Sequence, residues 1–76
     1  MKQFDRITMD PNVMGGKACI RGMRVTVSTI LGLLGAGHSM AEVLQSYPYL
    51  REEDVLEALC YASLRIQERE VILKSK

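Results

Sequence analysis

From Val27 onward the apolar residues recur at helical spacing, whereas from Arg6 to Thr26 they form short runs broken by glycine, proline and aspartate. The first half therefore reads as extended segments and turns. Ile7-Thr8-Met9 predicts a strand ended by Asp10-Pro11-Asn12, and Gly15-Gly16 marks a second turn. Lys17-Ala18-Cys19-Ile20-Arg21 and Met23-Arg24-Val25-Thr26 predict two more short strands on either side of Gly22. Strands of this length are not stable alone, so they must lie on helices or pair with another chain.

The second half predicts three helices. The first runs from about Ser28 to Ala36, with Thr26 or Ser28 as N-cap and Gly37 as the left-handed residue that ends it. Val27, Ile30, Leu31 and Leu34 form one stripe and Leu33 widens it, so burial on several sides is expected. Gly32 and Gly35 each cost about 1 kcal/mol relative to alanine, which predicts a close neighbour at both. The second helix opens on a capping box, Ser39-Met40-Ala41-Glu42, turns Met40, Val43 and Leu44 inward, and ends before Pro48. Tyr47-Pro48-Tyr49-Leu50 is a connector with apolar anchors. The third helix starts near Glu52 and extends as far as Glu70, and Val55, Leu56, Leu59, Cys60, Ser63 and Ile66 predict its buried face. Tyr61 is expected on its outer side, and residues 71–76 are expected to fray.

The expected fold is thus one mainly α domain over residues 1–76: an extended β arm over 6–26, then a three-helix bundle of helix-turn-helix type over 27–70. A chain of 76 residues buries only about 60% of its unfolded surface and is marginal as a monomer. Cys19 and Cys60 read as cytosolic thiols rather than a disulfide framework, and with a single histidine no metal-ligand cluster or cofactor is expected. Association is the remaining remedy, so a homodimer is expected. The N-terminal residues hold no apolar stretch that would serve as a signal peptide, and the uncharged run from Val25 to Ala41 is too short and too interrupted to span a bilayer. A cytoplasmic location with no membrane partner is therefore expected.

The net charge of +1 conceals a block pattern. Residues 15–26 hold Lys17, Arg21 and Arg24 and no acid, whereas residues 39–57 hold Glu42, Glu52, Glu53, Asp54 and Glu57 against Arg51 alone. Farther along, Arg65, Arg69, Lys74 and Lys76 give the rear of the third helix and the C-terminal residues a basic character, which complements the helix macrodipole.

Several segments, in their order and spacing, resemble the bacterial domain-of-unknown-function 433 family over roughly Ile7 to Ala62. They are Gly16-Lys17, Ile20-Arg21-Gly22-Met23-Arg24-Val25, Ile30-Leu31-Gly32-Leu33-Leu34 with Ala36-Gly37, and then Ser39, Glu42, Val43 and Leu44. Tyr47-Pro48-Tyr49-Leu50, Glu53-Asp54-Val55 and Ala58-Leu59-Cys60-Tyr61-Ala62 complete the set. The resemblance implies a homeodomain-like helix-turn-helix fold and an antitoxin encoded beside a toxin of PIN-like nuclease fold. Ala18 and Thr26 stand where prolines are common in the family, Met23 where threonine is common, and Arg51 replaces a hydroxyl N-cap of the third helix, a change worth about 1 kcal/mol.

Two groups of residues are candidates for binding. Lys17, Arg21, Gly22 and Arg24 form a basic arm whose guanidinium groups, beside a flexible turn, suit a bidentate grip on phosphate or carboxylate. The bland alternative is that Gly22 makes the turn and the arginines bond locally or stay solvated. Glu52, Glu53, Asp54 and Glu57 form an acidic helix start that would complement the basic rim of a nuclease, although acids at a helix N-terminus need no ligand to explain them. Those same acids oppose DNA reading by the third helix, so any operator contact falls to the basic arm. A thiolate pair of Cys19 and His38 is the one enzymatic arrangement available, but Cys19 sits in an apolar run and no third group orients the pair, so no enzyme and no small-molecule substrate are expected. The leading reading is an antitoxin that masks a nuclease toxin and contacts its own operator. The alternatives are a stand-alone DNA-binding regulator and a dimeric protein-interaction module.

Overall fold

The computed structural model describes residues 4–68. Its element order is β1 (Ile7–Thr8), a 3-10 turn over Met14–Gly16, β2 (Cys19–Ile20), α1 (Val27–Gly35), α2 (Met40–Ser46) and α3 (Glu52–Glu68). The molecule is therefore mainly helical with a short β arm, as the pattern predicted; the expected helix end at Glu70 and the expected frayed tail at 71–76 lie outside the described residues. No helix among the described residues is long and apolar enough to cross a membrane.

The arm closes on its own chain. β1 pairs antiparallel with β2, Ile7 opposite Ile20 and Thr8 opposite Cys19, and a further bridge joins Cys19 to Thr26. Between them the chain reverses through Ile20–Met23, where the Met23 N–H donates to the Ile20 carbonyl at 2.8 Å. Arg21 and Gly22 have φ of 47° and 73°, the pair of left-handed residues that a type I′ turn requires. Glycine adopts this conformation freely, while arginine is held there against a steric cost of about 1 kcal/mol. The arm is part of the core rather than an appendage: Ile20 and Val25 pack with Val27, Ile30, Val43, Leu50, Val55 and Ala58 in one buried cluster.

Each helix boundary has a local cause. The Thr26 hydroxyl accepts the Thr29 N–H and starts α1. At its other end the Gly37 N–H bonds the Leu34 carbonyl and the His38 N–H that of Leu33, a Schellman closure with Gly37 at φ 101°. Ser39 and Glu42 form the expected reciprocal capping box at the start of α2, and the bond from the Ser39 N–H holds the Glu42 carboxyl below the usual carboxylate range. α3 has no hydroxyl cap. The Asp54 carboxylate, in the first turn, accepts the Arg51 N–H at 2.8 Å, the half of a capping box that reaches back to the N-cap amide.

Two expectations from the pattern are corrected. Gly32 and Gly35 lie exposed in α1, and a methyl group added at either would meet nothing within 4 Å. The face of α3 is also rotated from the predicted one. Val55 alone of the six expected residues is buried; the inward side is Asp54, Val55 and Ala58 with half-buried Tyr61 and Ala62, while Leu56, Leu59, Cys60, Ser63 and Ile66 are exposed. Apolar residues occur at helical spacing on both sides of this helix, so periodicity alone could not select one. The arm selects it. Arg6 and Arg21 draw Asp54 inward, and Phe4 meets Tyr61 edge to face at 5.5 Å, placing that tyrosine against the N-terminal segment rather than on the outer side.

Candidate functional site

Two residues, Arg21 of the basic arm and Asp54 of the acidic helix start, one from each predicted site, meet in the structure. β2 runs into the reverse turn, and the turn throws the Arg21 side chain across to the first turn of α3. There Arg21 Nε and Nη2 donate to Asp54 Oδ1 and Oδ2 at 3.1 and 2.9 Å, and Nη2 also donates to the Tyr49 carbonyl at 3.0 Å. Arg6 Nη1 donates to Asp54 Oδ1 at 3.0 Å, and the Arg6 N–H donates to Glu57 Oε2 at 2.7 Å. Asp54 is fully buried and every oxygen is engaged, whereas the two guanidinium groups remain about a third exposed. Burial pushes the Asp54 carboxyl up, but the bonds from Arg21, from the Arg51 N–H and from Arg6 outweigh it and hold the group at about 2. The same contact with Asp54 raises Arg21 above its ordinary value.

Within the basic arm, then, Arg21 is engaged by the chain itself. Gly22 makes the turn and donates its N–H to Thr8 Oγ1 at 2.8 Å. Lys17 and Arg24 are exposed. Within the acidic set, Asp54 is a buried structural group and Glu57 is half-buried against Arg6, leaving Glu52 and Glu53 on the surface. Beside Glu53 lies a shallow groove of about 310 Å³ lined by Arg6, Glu53, Leu56, Glu57 and Cys60. Arg6, Leu56 and Cys60 were not singled out as surface residues by sequence reasoning. For Arg6 no local signal exists, since its partner Asp54 is 48 residues away; for Leu56 and Cys60 the signal was present but was assigned to the inward face.

Cys19, the other half of the enzymatic candidate, is buried in β2. His38 is exposed at the turn between α1 and α2, with Nδ1 3.5 Å from Glu42 Oε1. Tyr47 is half-buried against the core and Tyr49 half-exposed, their rings edge to face at 6.1 Å.

Comparison with known proteins places this geometry in a family. The sequence profile of DUF433, described as a protein of unknown function, matches residues 7–62. The uncharacterized protein y4eO of Sinorhizobium fredii (strain NBRC 101917 / NGR234) is 36% identical over 56 residues, covering 74% of this chain and 25% of that protein. The crystal structure of a DUF433 member from Anabaena variabilis ATCC 29413 superimposes with a TM-score of 0.78 at 33% identity, covering 84% of this chain and 63% of that one. This chain therefore spans about a quarter of the Sinorhizobium relative and under two thirds of the Anabaena chain.

Proposed function

Because the chain belongs to the DUF433 family, whose description assigns no activity, we propose its role from its own surface: a binding protein of antitoxin type that covers a nuclease toxin of PIN-like fold. The resemblance supplies the partner class, and the surface supplies the mode of binding. The observation that carries the reading is the outward side of the first half of α3, where exposed Leu56 and Cys60 lie beside the acids Glu52 and Glu53 and frame a groove with Arg6 and Glu57. An apolar floor with an acidic rim suits a protein surface that is basic around a nucleic-acid site: the apolar part contributes affinity and the charges speed encounter.

Used as the recognition helix of a helix-turn-helix, α3 would bring its first-turn acids Glu52 and Glu53 up to a polyanion. Operator DNA is consequently a secondary partner in this reading. Its contacts fall to Lys17 and Arg24, which stay exposed while Arg21 is engaged by Asp54. Autorepression through such an arm rests on phosphate neutralisation and carries little sequence information by itself.

Co-expression with a toxin encoded beside the gene tests the proposal. Co-purification and rescue of growth are expected, with association slowed at low salt by Glu53→Lys and the complex lost on adding Cys60→Lys. A complex indifferent to both changes, or no complex at all, overturns it.

A further inference from the structure

We propose that one arginine side chain of the toxin fills the groove on α3, its methylene stem along Leu56 and Cys60 and its guanidinium between Glu53 and Glu57, an inference that rests on the toxin reading above and names what the toxin inserts. Glu53 and Glu57 are one turn apart on α3, and so are Leu56 and Cys60. At 100° per residue these are two adjoining rows, one of carboxylates and one apolar, with a groove between them. The cation at the groove is already engaged. Arg6 Nη1 donates to Asp54 Oδ1 at 3.0 Å, and its Nε stands 4.0 Å from Glu57 Oε1, beyond hydrogen-bonding distance. Glu57 Oε2 accepts the Arg6 N–H, but Oε1 accepts no hydrogen bond among the described residues. Since the Glu57 side chain is only 17% exposed, that oxygen is an acceptor short of a donor. In charge, Arg6 and Arg21 balance Asp54 and Glu57, which leaves Glu53 in excess; it has no ion-pair or hydrogen-bond partner among the described residues.

Both rows together select arginine. Its apolar stem covers Leu56 and Cys60 while the charged head stays at the rim. A planar guanidinium with five N–H donors serves two carboxylates whose Cβ atoms are about 5 to 6 Å apart, whereas a lysine ammonium is a compact and strongly hydrated point charge. A free inorganic cation would leave the apolar row bare. An apolar side chain would cover that row but strip water from Glu53 and Glu57 without offering a donor. The groove, at about 310 Å³ and shallow, suits one long side chain laid along the helix better than an enclosed small molecule.

Double-mutant cycles test the insertion. The parent chain, Glu53→Gln and Glu57→Gln are titrated calorimetrically with the toxin and with toxin variants in which each exposed arginine or lysine in turn becomes glutamine. Glu53 has no partner in the chain to lose, and an amide at position 57 still accepts the Arg6 N–H, so urea midpoints should stay close to that of the parent. One toxin arginine is expected whose loss weakens the parent complex at least about tenfold but the Glu53→Gln complex less than about threefold. Lysine at that toxin position should not restore the affinity. A complex in which no basic residue couples to Glu53 or Glu57, in which only a lysine does, or in which lysine replaces the arginine without loss overturns the arginine assignment and leaves the toxin reading standing. Absence of any complex with the parent chain overturns both.

Discussion

Arg21 holds Asp54 through two parallel N–H···O bonds of 3.1 and 2.9 Å, from a backbone conformation that arginine rarely adopts. The left-handed turn, the buried carboxylate and the first turn of α3 are thereby one unit. Arg21 bonds the Tyr49 carbonyl as well, which ties the connector before α3 to the same guanidinium. The geometry explains why a residue with the features of a ligand-binding arginine serves first to dock the arm on the bundle.

Removing the carboxylate should be the most damaging single polar change. Asp54→Asn loses charge-assisted bonds to Arg6 and Arg21, and because both guanidinium groups still reach water the loss is about 2 to 3 kcal/mol rather than the larger penalty of stranding two buried charges. Urea unfolding measures it. Arg21→Lys should fall part of the way, since an ammonium cannot reproduce the fork.

Acid should act through the same group. The Asp54 carboxyl is held at about 2 in the folded chain against 3.8 ordinarily, so the unfolded chain takes up the proton first as pH falls. The stabilisation is complete above about pH 5, shrinks as pH drops through 4 and 3, and is gone once the folded state protonates near 2; it amounts to about 2 kcal/mol. Thermal melts across this range should show a steep acid limb in the parent chain and a flattened one in Asp54→Asn.

The open space at Gly32 gives a prediction of opposite sign. With nothing within 4 Å of an added methyl group and a helical backbone, Gly32→Ala should raise stability by about 1 kcal/mol. Chemical denaturation checks this, and a loss instead of a gain would mean that the exposed face of α1 is covered in solution.

If operator DNA is bound, Lys17 and Arg24 should set its salt dependence. Replacing both with alanine should reduce the slope of log affinity against log salt by about 2, while Arg21→Ala should act chiefly by lowering stability. Fluorescence anisotropy over a salt series separates the two effects.

The parts of this fold that the sequence announces are those whose cause is local. Ser39 and Glu42 are three residues apart and specify the start of α2; Gly37 closes α1, and Gly22 marks the turn, each through its own backbone freedom. The phase of α3 was hidden because both of its sides carry leucine or valine at helical spacing, and the deciding contacts come from Phe4, Arg6 and Arg21 at the far end of the chain. The candidate site suffered the same ambiguity. Charge blocks drew attention to the basic turn and the acidic helix start, but pattern cannot tell a pair of surfaces waiting for partners from a pair that bind each other. Arg21 and Asp54 belong to the second kind; Lys17, Arg24, Glu52 and Glu53 remain on the surface.

The proposed function gives α3 two sides, an inward one that holds the arm and an outward flank that we propose binds a partner. The affinity of the co-expressed toxin for a Glu53→Lys, Cys60→Lys chain, measured by titration calorimetry where its urea midpoint equals that of the parent, tests this most directly. A weakening of at least about a hundredfold is predicted. An affinity equal to that of the parent chain would contradict it.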